Sequence, residues 1–365
     1  MMSNGFHGSD TQAVADRYGI REEDIIQFSA NVNPLGLSER FRQSMAENID
    51  CITEYPERDY RTLRNALSQY TGVIPSHIIP GNGSTEIISA FIRSFEHCNA
   101  LIVSPAYAEY ERNVKAAGGR ASYFELDEKD NFNIDAGCLA DAVDDNTDIV
   151  VICNPVNPTS TALAKDEMGI VLEKCDKCGA FVLVDETYVE FSDIGKYSCA
   201  GLVEEWENLF VIRSMSKFFS CPGLRLGYGM TENEDILKKI EEKKDPWSVS
   251  SFAEKAAVLL LSDAEHIRTS KTYIEEERAR VCRLLDELKA NGLKYYSPCA
   301  NFVLCRIEDE KKNATGLFEQ CIRKNMMIRD CTGYGSLDKR YFRFCFMDRE
   351  NDDALLKEIK DYLTG

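Results

Sequence analysis

The stretch Val211-Ile-Arg-Ser-Met-Ser-Lys-Phe-Phe-Ser-Cys-Pro-Gly-Leu-Arg-Leu-Gly-Tyr228 decides how the chain is read. It opens inside an apolar run, Leu209–Arg213, of strand type. The run delivers Lys217, flanked by Ser214 and Ser216, into a turn that Pro222-Gly223 punctuates. Arg225 follows eight positions later. A lysine at a strand end among anion binders is a candidate for a Schiff base with a carbonyl compound. A surface-loop lysine is the ordinary alternative, so partners must come from elsewhere in the chain.

They come from a repeated pattern. Between residues 99 and 230 short apolar runs alternate with helical stretches, and each run ends in polar residues. Ala100–Val103 leads to Tyr107, and Asp148–Cys153 leads to Asn154 and Asn157. Phe181–Val184 leads to Asp185 and Tyr188, and Phe210–Ile212 leads to Ser214, Ser216 and Lys217. Nearly uniform apolar strands alternating with helices imply an α/β fold with a largely parallel sheet covered on both faces. Ligands in such sheets bind beyond the C-terminal strand ends. These residues are therefore expected to converge.

Upstream, Pro80-Gly-Asn-Gly-Ser-Thr-Glu86 opens an apolar helix. Its free N–H groups, the helix dipole and the hydroxyls of Ser84 and Thr85 suit a phosphate. It lacks the Gly-Lys-Ser/Thr ending of a Walker loop, and a simple N-cap at Ser84 or Thr85 is the plain alternative. Residues 1–36 read as an arm that contains the polar strip Ser29, Asn31 and Asn33. Residues 37–250 read as the large domain. Residues 251–365 read as a smaller α+β domain entered through a connecting helix. In that domain Arg343 lies mid-strand between Phe342 and Phe344, and Arg329 ends the preceding strand. An arginine buried there calls for an anion, either a structural carboxylate or a dianionic substrate group.

Composition narrows the classes. The 365 residues carry a net charge of −18, with 44% hydrophobic and 28% charged residues. A nucleic acid would meet a repelling surface. No apolar run approaches the ~20 residues of a membrane span, and the N-terminus lacks a basic-then-apolar leader, so a cytoplasmic location is expected. The 14 cysteines form no spaced framework. Cys175-Asp-Lys-Cys178 lacks the second pair a zinc site requires, and no metal is expected.

In combination and order these motifs resemble the fold-type I enzymes dependent on pyridoxal 5'-phosphate (PLP), in the class I/II aminotransferase family. The likeness is to the histidinol-phosphate aminotransferase and threonine-phosphate decarboxylase branch. It rests on Phe28–Gly36, Tyr55-Pro56, Gly81–Glu86, Asn154–Thr159, Asp185-Glu186 with Tyr188, Ser214–Lys217, Gly223–Tyr228 and the Arg329 and Arg343 strands. The resemblance implies that Lys217 holds PLP covalently and moves the substrate proton, and that Asp185 pairs with the pyridinium nitrogen. It implies that Tyr188 and Asn157 reach the ring hydroxyl and that Tyr107 stacks on the ring. Ser84, Thr85, Ser214, Ser216 and Arg225 would take the cofactor phosphate, joined by Tyr55 from the neighbouring subunit of a homodimer. Arg329 and Arg343 would bind the anionic group of a small amine or amino acid, with His7, Ser29 and Asn31 closing over it.

Two departures stand out. The usual Asn-Pro-x-Asn-Pro-Thr-Gly ends in Ser160. The arm's His7-Gly-Ser-Asp10 is similar to the arms of threonine-phosphate decarboxylases and of 2-aminoethylphosphonate-type aminotransferases. The resulting expectation is transamination of a small phosphonate- or phosphate-bearing amine. Decarboxylation of threonine phosphate comes second and histidinol-phosphate transamination third. A PLP-fold protein that binds without catalysis is the reading from a different class.

Overall fold

A computed structural model describes residues 10–365. The large sheet holds seven strands: β1 (Ile78–Gly81), β2 (Asn99–Ser104), β3 (Arg120–Glu125), β4 (Ile149–Cys153), β5 (Phe181–Asp185), β6 (Leu209–Ser214) and β7 (Gly227–Met230). Their spatial order is β1-β7-β6-β5-β4-β2-β3. The strands from β3 to β6 run parallel, and β7 turns back antiparallel to both β6 and β1. The expected uniform runs β4 and β6 are buried at every position, as a sheet covered on both faces requires.

Two strands escape the pattern. The edge strand β3 is mostly exposed, so it carries no apolar run. In β7, glycines replace side chains because neighbours come too close. A Cβ at Gly229 would lie 2.4 Å from Phe210 Cζ, and one at Gly227 would lie 2.4 Å from the backbone nitrogen of Ser84.

The small sheet is antiparallel in the order β10-β11-β9-β8. Its strands are β8 (Leu293–Tyr295), β9 (Phe302–Ile307), β10 (Arg329–Asp330) and β11 (Tyr341–Cys345). The connecting segment is two helices, Ser251–Leu261 and Ala264–Leu288, with a break between them. The hydrophobic packing falls into two cores. Ala253, Ala257, Leu260 and Ile274 belong with the large sheet, and Val281 and Leu285 with the small one. The first core also takes in Phe302, Leu304 and Tyr341 of the small sheet, so the two lobes share packing across their junction.

The arm is woven into both lobes. Val14 and Phe28 sit in the small core. The backbone of Ile26 exchanges hydrogen bonds with Asn325 and Met327, and Phe28 O accepts from Cys345 N at 2.8 Å. Asn33 then binds the Lys217 loop. Its N–H reaches Lys217 O at 3.0 Å, and its amide donates to Phe218 O and Ser270 Oγ, each at 2.9 Å.

A second link between the lobes is Glu128, just beyond β3. Its Oε1 accepts from Tyr296 (2.7 Å), Lys294 (2.9 Å) and Arg306 (2.7 Å). Burial alone would push this acid up. The donors overcome that and hold it at about 2. Among the described residues, no helix is long and apolar enough to cross a membrane.

Candidate active site

A cavity of about 420 Å³ opens beyond the C-terminal ends of β4, β5 and β6. Its wall includes Ser29, Ser84, Thr85, Tyr107, Asn157, Asp185, Tyr188, Ser214, Ser216, Lys217, Arg225 and Arg343. Residues from seven separate segments thus meet where a doubly wound sheet places its ligands.

One end is built for an anion. Ser84 and Thr85 begin the helix Ser84–Ile92, whose N-cap is Gly83 at φ +80°, not one of the hydroxyl residues. A Cβ at Gly83 would lie 2.5 Å from Arg225 Nη2, so only glycine lets the guanidinium close over the helix start. Ser214 and Ser216 join through their hydroxyls at 2.9 Å.

The same wall residues include a buried acid. Asp185 Oδ2 accepts from Tyr110 OH at 2.8 Å, and Oδ1 accepts from Thr187 N (2.9 Å) and Thr187 Oγ1 (2.6 Å). Burial still raises its pKa, although Thr187 and Tyr110 pull the other way. A buried carboxylate with a raised pKa gains from a cationic partner.

Lys217 extends its Nζ to Ala30 O at 2.7 Å. Burial, and then the charge of Arg343, brings its ammonium down to about 8. The free amine is therefore accessible near neutrality. Asn157 donates to Tyr188 OH at 3.3 Å, and its carbonyl accepts from Arg343 Nη1. Arg343 Nη2 donates to Ser29 O at 2.6 Å, while Nε is buried with no partner among the described residues.

Arg329 stands directly opposite Arg343 in the β10–β11 ladder, and its guanidinium lies 5.4 Å from the centre of the Tyr334 ring. Directly opposed residues in an antiparallel pair project from the same face, but of the two only Arg343 is among the residues of the cavity wall.

Not every expected site residue enters the cavity. Asn31 is fully buried, with φ +56° and both side-chain polar atoms unpartnered among the described residues, and it is not among the residues of the wall. From this part of the arm, Ser29 and Ala30 line the cavity. Tyr55 is 85% exposed and packs against Trp247, outside the cavity. His7 lies outside the described residues. Conversely, Tyr110, Thr187 and Tyr334 line the cavity without having stood out. Only Thr187 offered a sequence signal, since Asp side chains commonly bond the backbone two residues on.

Ser160 explains its own departure from the motif. It adopts φ +62°, the conformation glycine favours. Its hydroxyl accepts from Ala300 N at 3.0 Å, and its carbonyl accepts from Cys299 N at 2.9 Å. The serine fastens the Asn-Pro turn to the segment entering β9.

The residues present fit PLP. There is a glycine-walled anion cradle, a buried acid suited to a protonated ring nitrogen, and a lysine of lowered pKa in the same cavity. This fold and cavity define a fold-type I PLP-dependent enzyme. The chain belongs to the class I and II aminotransferases, whose family model matches residues 23–359. It is 30% identical over 362 residues to the threonine-phosphate decarboxylase of Salmonella typhimurium, covering 99% of this chain and 98% of that one. It is 31% identical to the histidinol-phosphate aminotransferase of Methanothermobacter thermautotrophicus, covering 96% and 92%. Among solved structures it resembles histidinol-phosphate aminotransferase from Clostridium acetobutylicum, with a TM-score of 0.86, 34% identity and coverage of 92% and 98%.

Proposed function

We propose that the chain is an aminotransferase for a small amine bearing a phosphorus dianion, a phosphate ester or a phosphonate. The observation that carries this reading is Arg343, buried in the cavity wall, with Arg329 opposite it in the ladder. A guanidinium there suits a group with two negative charges and three acceptor oxygens. Both relatives named above carry phosphate in the names of their substrates. The phosphonate variant rests on the arm motif, most of which lies outside the described residues. Transamination is preferred to decarboxylation because the matching family is one of aminotransferases and spans nearly the whole chain.

PLP, when bound, supplies an aldehyde for the substrate amine and a ring that withdraws electrons from Cα. In this reading Ser84, Thr85, Ser214, Ser216 and Arg225 would hold the cofactor phosphate, and Asp185 would keep the ring nitrogen protonated. Asn157 and Tyr188 would bind the ring oxygen, and Tyr107 would cover the ring face. Lys217 would hold the cofactor aldehyde and, as a free amine, would take the proton from the substrate Cα. The arginine pair orients the substrate so that the Cα–H bond is the one that breaks. Family members are typically homodimers, and in such a pair the exposed Tyr55 would complete the partner's phosphate site.

The test is direct. Purified protein with PLP is offered 2-aminoethylphosphonate, histidinol phosphate or O-phosphothreonine, each with pyruvate or 2-oxoglutarate. Alanine or glutamate is expected from one of the first two. Carbon dioxide from O-phosphothreonine without amino-acid product would overturn transamination.

A further inference from the structure

We propose that Tyr110 is a positioning residue that keeps Asp185 ionised and aimed at the cofactor's ring nitrogen. The inference rests on the role given to Asp185 above, and adds a residue to it. Tyr110 lies in the helix Ala108–Ala116, one turn after Tyr107, and is 1% exposed. Its ring meets that of Tyr107 edge-on, with centroids 5.8 Å apart, and its hydroxyl donates to Asp185 Oδ2. The other carboxylate oxygen is taken by the N–H and hydroxyl of Thr187. Both oxygens are therefore anchored from inside the protein, which fixes the plane of the carboxylate.

Burial, and then the charge of Asp185, raises the Tyr110 phenol well above its ordinary value, so it remains a donor across the working pH range. The titratable groups that interact with Asp185 are Tyr107, Tyr110, Cys153 and Tyr188. Burial raises all four, so each is neutral near pH 7. The negative charge on Asp185 thus depends on hydrogen bonds, and Tyr110 supplies the one that comes from outside its own turn.

Tyr110→Phe keeps the ring that supports Tyr107 and removes only the donor. The full-length protein, stripped of cofactor, is titrated with PLP and with its 1-deaza analogue, in which carbon replaces the ring nitrogen. The wild type should prefer PLP. Tyr110→Phe should narrow that preference about tenfold, as expected for a hydrogen bond to a charged group, with binding of the 1-deaza analogue unchanged. Thr187→Val should narrow it in the same direction, and it carries the test if Tyr110→Phe fails to fold. Equal weakening toward both compounds, or no change toward either, would show a packing role and overturn the proposal. Asp185→Asn separates the two ideas. If that variant keeps the full preference for PLP, Asp185 is not the ring-nitrogen partner, and the proposal falls with that assignment.

Discussion

Glu186 and Arg213 form an ion pair sealed beneath the cavity, each next in sequence to a residue of its wall. Arg213 Nε donates to Glu186 Oε2 at 2.9 Å, with the two side chains 3% and 0% exposed. Ser198 and the Cys199 N–H join the group, and the buried Glu190 stands 3.7 Å from Arg213 Nη1 as a second carboxylate. Side chains alternate across a strand, so Asp185 and Ser214 line the cavity while their neighbours clamp β5 to β6 on the other side. Glu186→Ala removes the nearer carboxylate and leaves Arg213 with only Glu190, which should cost up to about 3–5 kcal/mol in denaturant unfolding. Replacing Arg213, Glu186 and Glu190 together with apolar residues should cost less than the sum of the single changes.

Lys217 should make the cofactor-free protein pH-sensitive in a defined direction. Its ammonium is brought from the ordinary 10.5 to about 8 on folding. Below about pH 8 the folded protein carries the full penalty of a buried charge, and that penalty fades as pH rises toward 10.5. Lys217→Met should thus be more stable than wild type at pH 7, with the gap closing across that window. Covalent trapping of PLP by borohydride should accelerate up to about pH 8 in the wild type and be absent in the variant.

Arg343→Ala should weaken binding of the substrate by about 2–5 kcal/mol if the arginine contacts a desolvated anion. The loss should appear in KM more than in kcat, because the contact is remote from the bond that breaks. Inorganic phosphate should inhibit the wild type and have little effect on the variant. A variant with wild-type KM would rule out the arginine pair as the anion receptor.

Ser160 should tolerate glycine better than alanine. At φ +62° glycine relieves backbone strain while losing the hydroxyl acceptor, two effects of about 1 kcal/mol that oppose each other. Alanine keeps the strain and leaves the Ala300 N–H unpaired, at about 1–3 kcal/mol. Unfolding midpoints of the two variants would check the order.

Tyr55, Ile49, Ile52 and Trp247 are large apolar side chains with 47–85% exposure, and the Tyr55 and Trp247 rings sit 5.6 Å apart. A face of this kind suits association with a second copy. Trp247→Glu should shift sedimentation from dimer toward monomer and lower PLP affinity in parallel. A dimer that persists with wild-type cofactor affinity would sink the shared-site reading.

Much of this protein was legible in the order of its residues. Alternating apolar strands and helices imply a parallel sheet, and the polar residues after each strand must then gather at one edge. That is why Lys217, Asp185, Asn157 and Ser214 could be grouped before any coordinates. These are short-range patterns, read within a strand and the turn that follows it. Tertiary packing decided the rest. The bond from Tyr110 to Asp185 spans 75 positions, and the register that sets Arg329 against Arg343 depends on how two strands slide past each other. The full burial of Asn31 likewise follows from packing, since the arm is held by Phe28 in the small core on one side and by Asn33 on the Lys217 loop on the other. Local periodicity determines which face a side chain takes within its own element; only the packed chain determines what that face meets.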